Sequence, residues 1–202
     1  MQVNYSNAFV DQLVHLFKKV GQDSLVYNFD KDSAVQFNGR TIKYVKSKFP
    51  HAGVVNTLFE LGKKNGVTIQ DYNGQKKKAD GALTNGRHLE NTTQFIDRMT
   101  ELCNSTKSTS YISMNLPACY NAGWFAYQPN LFKEIAKQND YGLSYFRLSD
   151  HSNNHAVAVD VEVDNNTYKE LMHKYQHTAD IRLGVTFVKE KITANFKFKE
   201  TR

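Results

Sequence analysis

The sequence predicts an α+β fold, formed by one domain that covers residues 1–202. Apolar residues recur at helical spacing in residues 7–20, whereas residues 155–164 alternate strictly between two faces, as in a half-buried strand. Helices and strands are mixed along the chain without a regular strand–helix–strand repeat. We therefore expect an antiparallel sheet from the C-terminal half to pack against helices.

The composition excludes several classes of protein. The chain is 40% hydrophobic, 12% aromatic and 23% charged, which is typical of a globular domain. It contains no apolar run long enough to span a bilayer, and residues 1–6 have no features of a signal peptide. Two cysteines are too few for a disulfide framework. We expect a protein that is cytoplasmic or delivered into a host cell.

The first half of the chain is predicted to contain helices separated by short strands. Ser6 is a suitable N-cap for the first helix, and Gly21 is a suitable stop. Asn38-Gly39 is a typical hairpin turn signal. The predicted elements are a helix over 7–20, strands over 24–29 and 34–45, and a helix over 52–64.

The polar tract over residues 71–87 predicts an exposed loop, because it is rich in glycine and lysine. After it, Asn91 or Thr92 caps a predicted helix that ends at Cys103, and Pro129 begins another. The last third predicts strands over 143–148, 155–164, 181–188 and 192–199, with a short helix over 167–175. The last two of these strands are predicted to form a hairpin.

The segment Asn154-His155-Ala156-Val157 begins a valine-lined strand after a polar turn. It resembles the histidine strand of papain-like cysteine peptidases. The resemblance implies a papain-like fold and attack of a thiolate on a peptide or isopeptide carbonyl. It makes His155 the general base, Cys119 the candidate nucleophile and Asp180 the residue that orients the imidazole.

The chain departs from that family where the family has its cysteine. The predicted helix at residues 52–56 carries Val54 and Val55 at the equivalent place. An inactive relative that acts by binding protein is therefore an alternative. In a purely structural role, His155 is a packed histidine and Cys119 a small buried hydrophobe. Cys103 lies on the apolar side of its predicted helix, which favours a structural role.

A second resemblance is less favoured. Arg40, then Ser108-Thr109-Ser110, then Asp160 and Glu162 follow the order found in toxin-type ADP-ribosyltransferases. The resemblance implies that the Ser-Thr-Ser segment braces an NAD pocket and that the glutamate orients the nicotinamide ribose.

Neither a metal nor a cofactor is predicted. His173 and His177 have the spacing of two helical metal ligands, but the glutamate of a metallopeptidase motif is missing between them. The glycine fingerprint of dinucleotide-binding folds and the phosphate-binding Gly-Lys-Ser/Thr loop are also missing from the sequence.

A formal charge of +6 and a pI near 9.1 favour an anionic partner. Lys76, Lys77 and Lys78 form the tightest basic run and are the candidate anion-binding residues. The alternative to a peptidase acting on a protein or peptide substrate is thus a non-enzymatic host-interaction protein. Its basic surface would dock nucleic acid or an acidic protein.

Overall fold

A computed structural model describes residues 7–31, 33–86, 89, 91–118, 127–150, 158–159, 181–190 and 196–199. Within them the helices are α1 (Asn7–Val20), α2 (Gly39–Lys48), α3 (Leu58–Lys64), α4 (Thr92–Ser105) and α5 (Pro129–Asn139), with a 3-10 turn at Pro50–Ala52. The strands are β1 (Ser24–Asn28), β2 (Val67–Asp71), β3 (Ala79–Thr84), β4 (Thr106–Pro117), β5 (Tyr141–Asp150), β6 (Ala158–Val159) and β7 (Ile181–Lys189).

The strands form one mixed sheet in the order β2-β1-β3-β4-β7-β5-β6. Strands β2, β1, β3 and β4 are parallel neighbours, whereas β7 runs antiparallel between β4 and β5. The expected combination of helices with a sheet is confirmed at this coarse level. The expectation that the sheet is antiparallel and comes from the C-terminal half is wrong for its first four strands.

Two apolar cores cover the two faces of the sheet. Helices α1, α2 and α3 pack on one face around Leu13, Val45 and Leu61, and helices α4 and α5 pack on the other around Phe95 and Phe132. Adjacent strand residues point to opposite cores, because side chains alternate along a strand. The buried side chains of these two cores include Phe9, Leu13, Leu16, Phe17, Leu58, Phe95, Val185 and Phe187.

Local capping explains where several helices begin. Asn38 accepts a hydrogen bond from the backbone N–H of Thr41 at the start of α2, and Asn91 does the same for Gln94 in α4. Pro129 occupies the first turn of α5. The predicted cap at Asn91 is therefore confirmed.

Two sequence-based assignments are wrong for identifiable reasons. Residues 34–45 were expected to form a strand with a turn at Asn38-Gly39, but Asn38 caps α2 and Gly39 is its first residue. The same dipeptide thus starts a helix instead of closing a hairpin. Part of the expected loop over 71–87 is strand β3, which is central and mostly buried. Only residues 72–78 form the connection, and the three lysines in it are exposed, as expected.

The C-terminal strand assignments are confirmed in part. Strands β5 and β7 are present, but the strand partners of β7 are β4 and β5. The predicted hairpin partner over 192–199 is described only at residues 196–199, which are not a strand. Among the described residues, no helix is long and apolar enough to cross a membrane.

His15 on α1 is expected to make stability depend on pH. Its Nε2 lies 3.1 Å from Ser144 Oγ. Burial, followed by repulsion from Lys19, Arg147 and Lys18, lowers the pKa of the imidazole below its ordinary 6.5. The unfolded chain therefore binds the proton more readily than the folded one. We expect the free energy of unfolding to fall as the pH decreases from about 7 to about 5.

Urea denaturation at the two pH values measures this loss for the wild type and for His15→Gln. The variant should lose less stability on acidification, because it no longer has the half-buried imidazole. His51→Gln, at an exposed histidine, is the matched control and should behave like the wild type. An equal loss in the wild type and in His15→Gln would contradict the assignment.

Candidate functional site

The order of the strands defines a switch point at one edge of the sheet, which is the place where doubly wound folds have their binding crevice. From β1 the chain goes to β2 on one side and then returns to β3 on the other. Connections diverge at such a switch point, and open α/β sheets bind ligands there, outside the carboxyl ends of the strands. The carboxyl ends of β1 and β3 are at Asn28 and Thr84.

Asp30 bridges this switch point. Its Oδ1 accepts a hydrogen bond from Thr84 Oγ1 at 2.8 Å, and its Oδ2 accepts one from the backbone N–H of Asn85. The half-buried carboxylate therefore joins the segment after β1 to the end of β3. It places a carboxylate at the switch point.

Arg182 adds a buried positive charge to the same edge. It lies near the start of β7, which is antiparallel and thus begins at this edge, and it is 4% exposed. Its Nη1 donates a hydrogen bond to Asn85 Oδ1 at 3.1 Å. Because Asn85 contacts both Asp30 and Arg182, the carboxylate and the guanidinium are held close to one another.

Asp71 ends β2 and forms the outer part of the crevice. Its Oδ1 accepts hydrogen bonds from Asn28 Nδ2 at 3.0 Å and from the backbone N–H of Ser33 at 3.3 Å. Its Oδ2 accepts no hydrogen bond from the described residues, and the side chain is only half buried. Asp71 thus combines a fixed orientation with a free acceptor atom.

Aromatic and cationic contacts support the segment that follows β1. The rings of Phe29 and Tyr72 are stacked with their centroids 4.4 Å apart. Arg98 of α4 lies over the Phe29 ring and donates a hydrogen bond to the Phe29 carbonyl at 3.3 Å. These contacts fix the backbone from which Asp30 projects.

The three predicted catalytic residues, Cys119, His155 and Asp180, lie outside the described residues. Cys103 is buried, as its predicted structural role requires, and its Sγ lies 3.3 Å from the Tyr141 hydroxyl. Burial raises the pKa of this thiol, which disfavours the reactive thiolate. Arg40 lies in α2 instead of a strand.

The candidate anion-binding lysines lie at the opposite, amino edge of the sheet. Lys76, Lys77 and Lys78 precede β3 and are exposed. The ammonium group of Lys78 donates a hydrogen bond to the Asn104 carbonyl near the end of α4. At the same helix end, buried Lys189 donates to the Cys103 carbonyl at 2.9 Å, and burial lowers the pKa of its ammonium group. Lys78 and Lys189 thus neutralise the negative end of α4.

Several solved structures that are similar to this chain are methyltransferases. The chain is similar to an S-adenosylmethionine-dependent methyltransferase from Thiobacillus denitrificans solved with S-adenosyl-L-homocysteine, at 13% identity and a TM-score of 0.49, covering 93% of this chain and 92% of that one. The chain is 14% identical to a methyltransferase from Archaeoglobus fulgidus, with a TM-score of 0.43, and the match covers 91% of this chain and 92% of that one. It is 10% identical to a TehB-like methyltransferase from Corynebacterium glutamicum, with a TM-score of 0.43, and that match covers 89% of this chain and 88% of that one. No family model and no curated protein sequence matches.

These findings correct the peptidase interpretation. The predicted papain-like fold, with an antiparallel sheet from the C-terminal half, is wrong because β2, β1, β3 and β4 are parallel neighbours. The similar structures are methyltransferases, which contradicts the cysteine peptidase interpretation. The resemblance depended on a few residues around His155, and a short motif of that kind recurs in unrelated strands. At such low identities and TM-scores the similarity does not define an activity for this chain. A function has to be argued from its own residues.

The residues at the switch point were not predicted from the sequence, although the sequence carries a signal for two of them. Asp30 comes shortly after β1 and Asp71 is the last residue of β2, at the place where the carboxyl ends of parallel strands meet. That signal is visible only once β3 is recognised as a strand. Arg182 had no comparable signal, because its burial depends on a strand that reaches this edge from the C-terminal end of the chain.

Proposed function

We propose that the carboxyl edge of the sheet binds a nucleoside that carries an amino acid, as S-adenosylmethionine does, and that the protein is a methyltransferase. The observation that carries the proposal is the cluster of Asp30, Asn85 and buried Arg182 at the switch point, with Asp71 beside it. Each part of such a ligand has a matching group in this crevice.

Asp71 fits the ribose. An acidic side chain near the end of the second strand accepts hydrogen bonds from ribose hydroxyls in doubly wound folds. Asp71 ends β2, which is next to β1, and its Oδ2 accepts no hydrogen bond from the described residues. The Asn28 and Ser33 contacts hold the other oxygen, so that binding a ribose would cost little reorientation.

The segment after β1 argues against a dinucleotide. A pyrophosphate requires glycines that let the backbone approach it closely. Residues 29–33 contain no glycine, and Lys31 has a positive φ of 53° where a glycine would be the easier residue. A ligand without phosphates, such as an adenosyl amino acid, does not need that close approach.

Asp30 and Arg182 fit the two charges of an amino acid. A carboxylate pairs with an α-ammonium group, and a guanidinium with an α-carboxylate. Asn85 contacts both side chains and therefore fixes their separation. Arg182 is almost fully buried, so its interaction with a bound carboxylate would be weakly screened by solvent.

When bound, such a ligand supplies an electrophilic methyl group. In the reaction, the residues of this chain would bind that ligand and orient it. Asp71 would hold the ribose, while Asp30 and Arg182 would fix the amino acid end. Fixing both ends positions the reacting centre between them, which contributes to catalysis by orientation.

Calorimetric titration with S-adenosylhomocysteine tests the proposal. The wild type should bind, and Asp71→Asn should bind about 10- to 100-fold more weakly, because a hydrogen bond to a charged acceptor contributes about 1.5–3 kcal/mol. Asp23→Asn is the matched control, because Asp23 is an exposed aspartate at the opposite edge. It should bind like the wild type.

Two results would reject the proposal. One is that the wild type does not bind S-adenosylhomocysteine at about millimolar concentration, which corresponds to a binding free energy of about −4 kcal/mol. The other is that Asp71→Asn binds as tightly as the wild type. A parallel titration with NADH should show no binding, because residues 29–33 lack the glycines for its pyrophosphate.

A further inference from the structure

The amino edge of the sheet, opposite the switch point, carries a group of exposed lysines. Helices α1 and α3 end there, because each leads directly into the start of β1 or β2. Their last turns carry two lysines each, and the connection into β3 carries two more. We call these six residues the lysine rim: Lys18, Lys19, Lys63, Lys64, Lys76 and Lys77.

The parts of the lysine rim lie together. The backbone N–H of Asp23, after α1, donates a hydrogen bond to the Gly66 carbonyl, after α3, at 2.8 Å. Val20 at the end of α1 also lies against Gly81 in β3, the strand that Lys76 and Lys77 precede. The starts of β2, β1 and β3 are adjacent, at about 4.8 Å per strand. The rim therefore borders this edge on both faces of the sheet, because the Tyr27 hydroxyl, which belongs to the core of the α4 face, donates a hydrogen bond to the Lys77 carbonyl.

The ammonium groups of the rim are available for a partner. All six side chains are exposed, and none makes a hydrogen bond or an ion pair with a described residue. Neighbouring lysines behave differently, because Lys78 and Lys189 bind the end of α4 and Lys107 forms an ion pair with Asp80 at 2.5 Å. Asp23 is the exposed carboxylate of this patch.

Helix dipoles explain only part of this arrangement. Lysines in the last turn of a helix are stabilised by its negative end. Lys76 and Lys77, however, belong to no helix, and they are next to a lysine that already serves α4. A structural role therefore leaves the two free lysines of the connection unexplained.

We propose that the lysine rim binds the phosphate backbone of a nucleic acid. Lysines with free ammonium groups match a dense row of phosphates. The large exposed apolar side chains of the described residues, Val54 and Phe59, lie near the other end of α3. The rim thus lacks the apolar anchors typical of protein interfaces and of helices that insert into membranes. This inference is independent of the adenosyl site.

Fluorescence anisotropy with a labelled single-stranded oligonucleotide of about 20 nucleotides, and with its duplex, measures this binding between about 50 and 200 mM salt. The rim variant is Lys63→Gln/Lys76→Gln/Lys77→Gln. The control is Arg40→Gln/Lys43→Gln/Lys46→Gln, which removes the same charge from exposed positions on α2. The two variants therefore separate the effect of the rim from that of net charge.

We expect the rim variant to bind at least about tenfold more weakly than the control at the lower salt concentration. Its slope of log affinity against log salt should be smaller than that of the wild type by about 3, because each of the three substituted lysines no longer neutralises a phosphate. Circular dichroism checks that both variants fold.

Equal weakening in both variants would overturn the proposal, and so would binding that does not respond to salt. Absence of binding by the wild type at about 50 mM salt would overturn it as well. Polyglutamate is added as a competitor at the same concentration of negative charge. If it displaces the oligonucleotide, the partner of the rim is an acidic protein instead. Preferential binding to phosphatidylserine vesicles would assign it to a membrane.

Discussion

Gly86→Ala is expected to destabilise the protein by about 3 kcal/mol and to weaken binding of S-adenosylhomocysteine. Gly86 follows Asn85 directly and has a positive φ of 60°. A Cβ atom there would lie 2.1 Å from Leu116 Cδ2 and 3.3 Å from the Asn115 carbonyl oxygen. Leu116 is fully buried, so accepting the added Cβ requires its side chain to repack within the core next to Asn85.

Urea denaturation and calorimetric titration measure the two effects of Gly86→Ala. Gly74→Ala is the matched control, because Gly74 has a positive φ of 78° but nothing within 4 Å of the added Cβ. It carries the backbone strain without the collision and should cost only about 1 kcal/mol. Equal destabilisation by the two substitutions would show that contact with Leu116 is unimportant.

Phe132→Ala is expected to cost about 3–5 kcal/mol of stability, because it leaves a large cavity. Phe132 is fully buried and joins α5 to α4 and to the sheet. Its ring centroid lies 5.9 Å from that of Phe95, and 6.2 Å from those of Tyr127 and Phe187. Removing the ring therefore deprives three other aromatic side chains of a packing partner.

Thermal and urea unfolding measure the cost of Phe132→Ala. Phe59→Ala makes the same chemical change at a side chain that is 49% exposed, and it should cost less than about 1 kcal/mol. A small effect at Phe132 would show that α5 is not needed to close this core.

Much of the fold could be predicted from local patterns. Helix α1 has a long apolar stripe, and α4 has both a stripe and a cap at Asn91, so that their sequences specify them with little help from the rest of the chain. Strand β3 could not be identified in this way. It follows three lysines and contains Asp80 and Gly81, and it is a strand because β1 and β4 hydrogen-bond to it on both sides.

The candidate site was less accessible to prediction, because it depends on strand order. Asp30, Asp71 and Arg182 are far apart in sequence and meet only because β2, β1, β3 and β7 reach the same edge. The exposed lysines at 76–78 were predicted correctly, since a polar, glycine-containing segment indicates exposure by itself. That Lys78 binds α4 depends on tertiary packing and has no sequence signal.

The short connection between β2 and β3 gives the sheet unequal rates of local opening. A parallel crossover usually contains a helix that covers the sheet, but residues 72–78 contain none. Val67 and Ile69 of β2 are buried against α3, whereas Thr68 and Gln70 on its other face are exposed. Strand β4 is buried over most of its length by cores on both faces. We therefore expect the amide protons of β2 to exchange with solvent well before those of β4. Local unfolding would then separate Asp71 from the switch point while Arg182 stays in place.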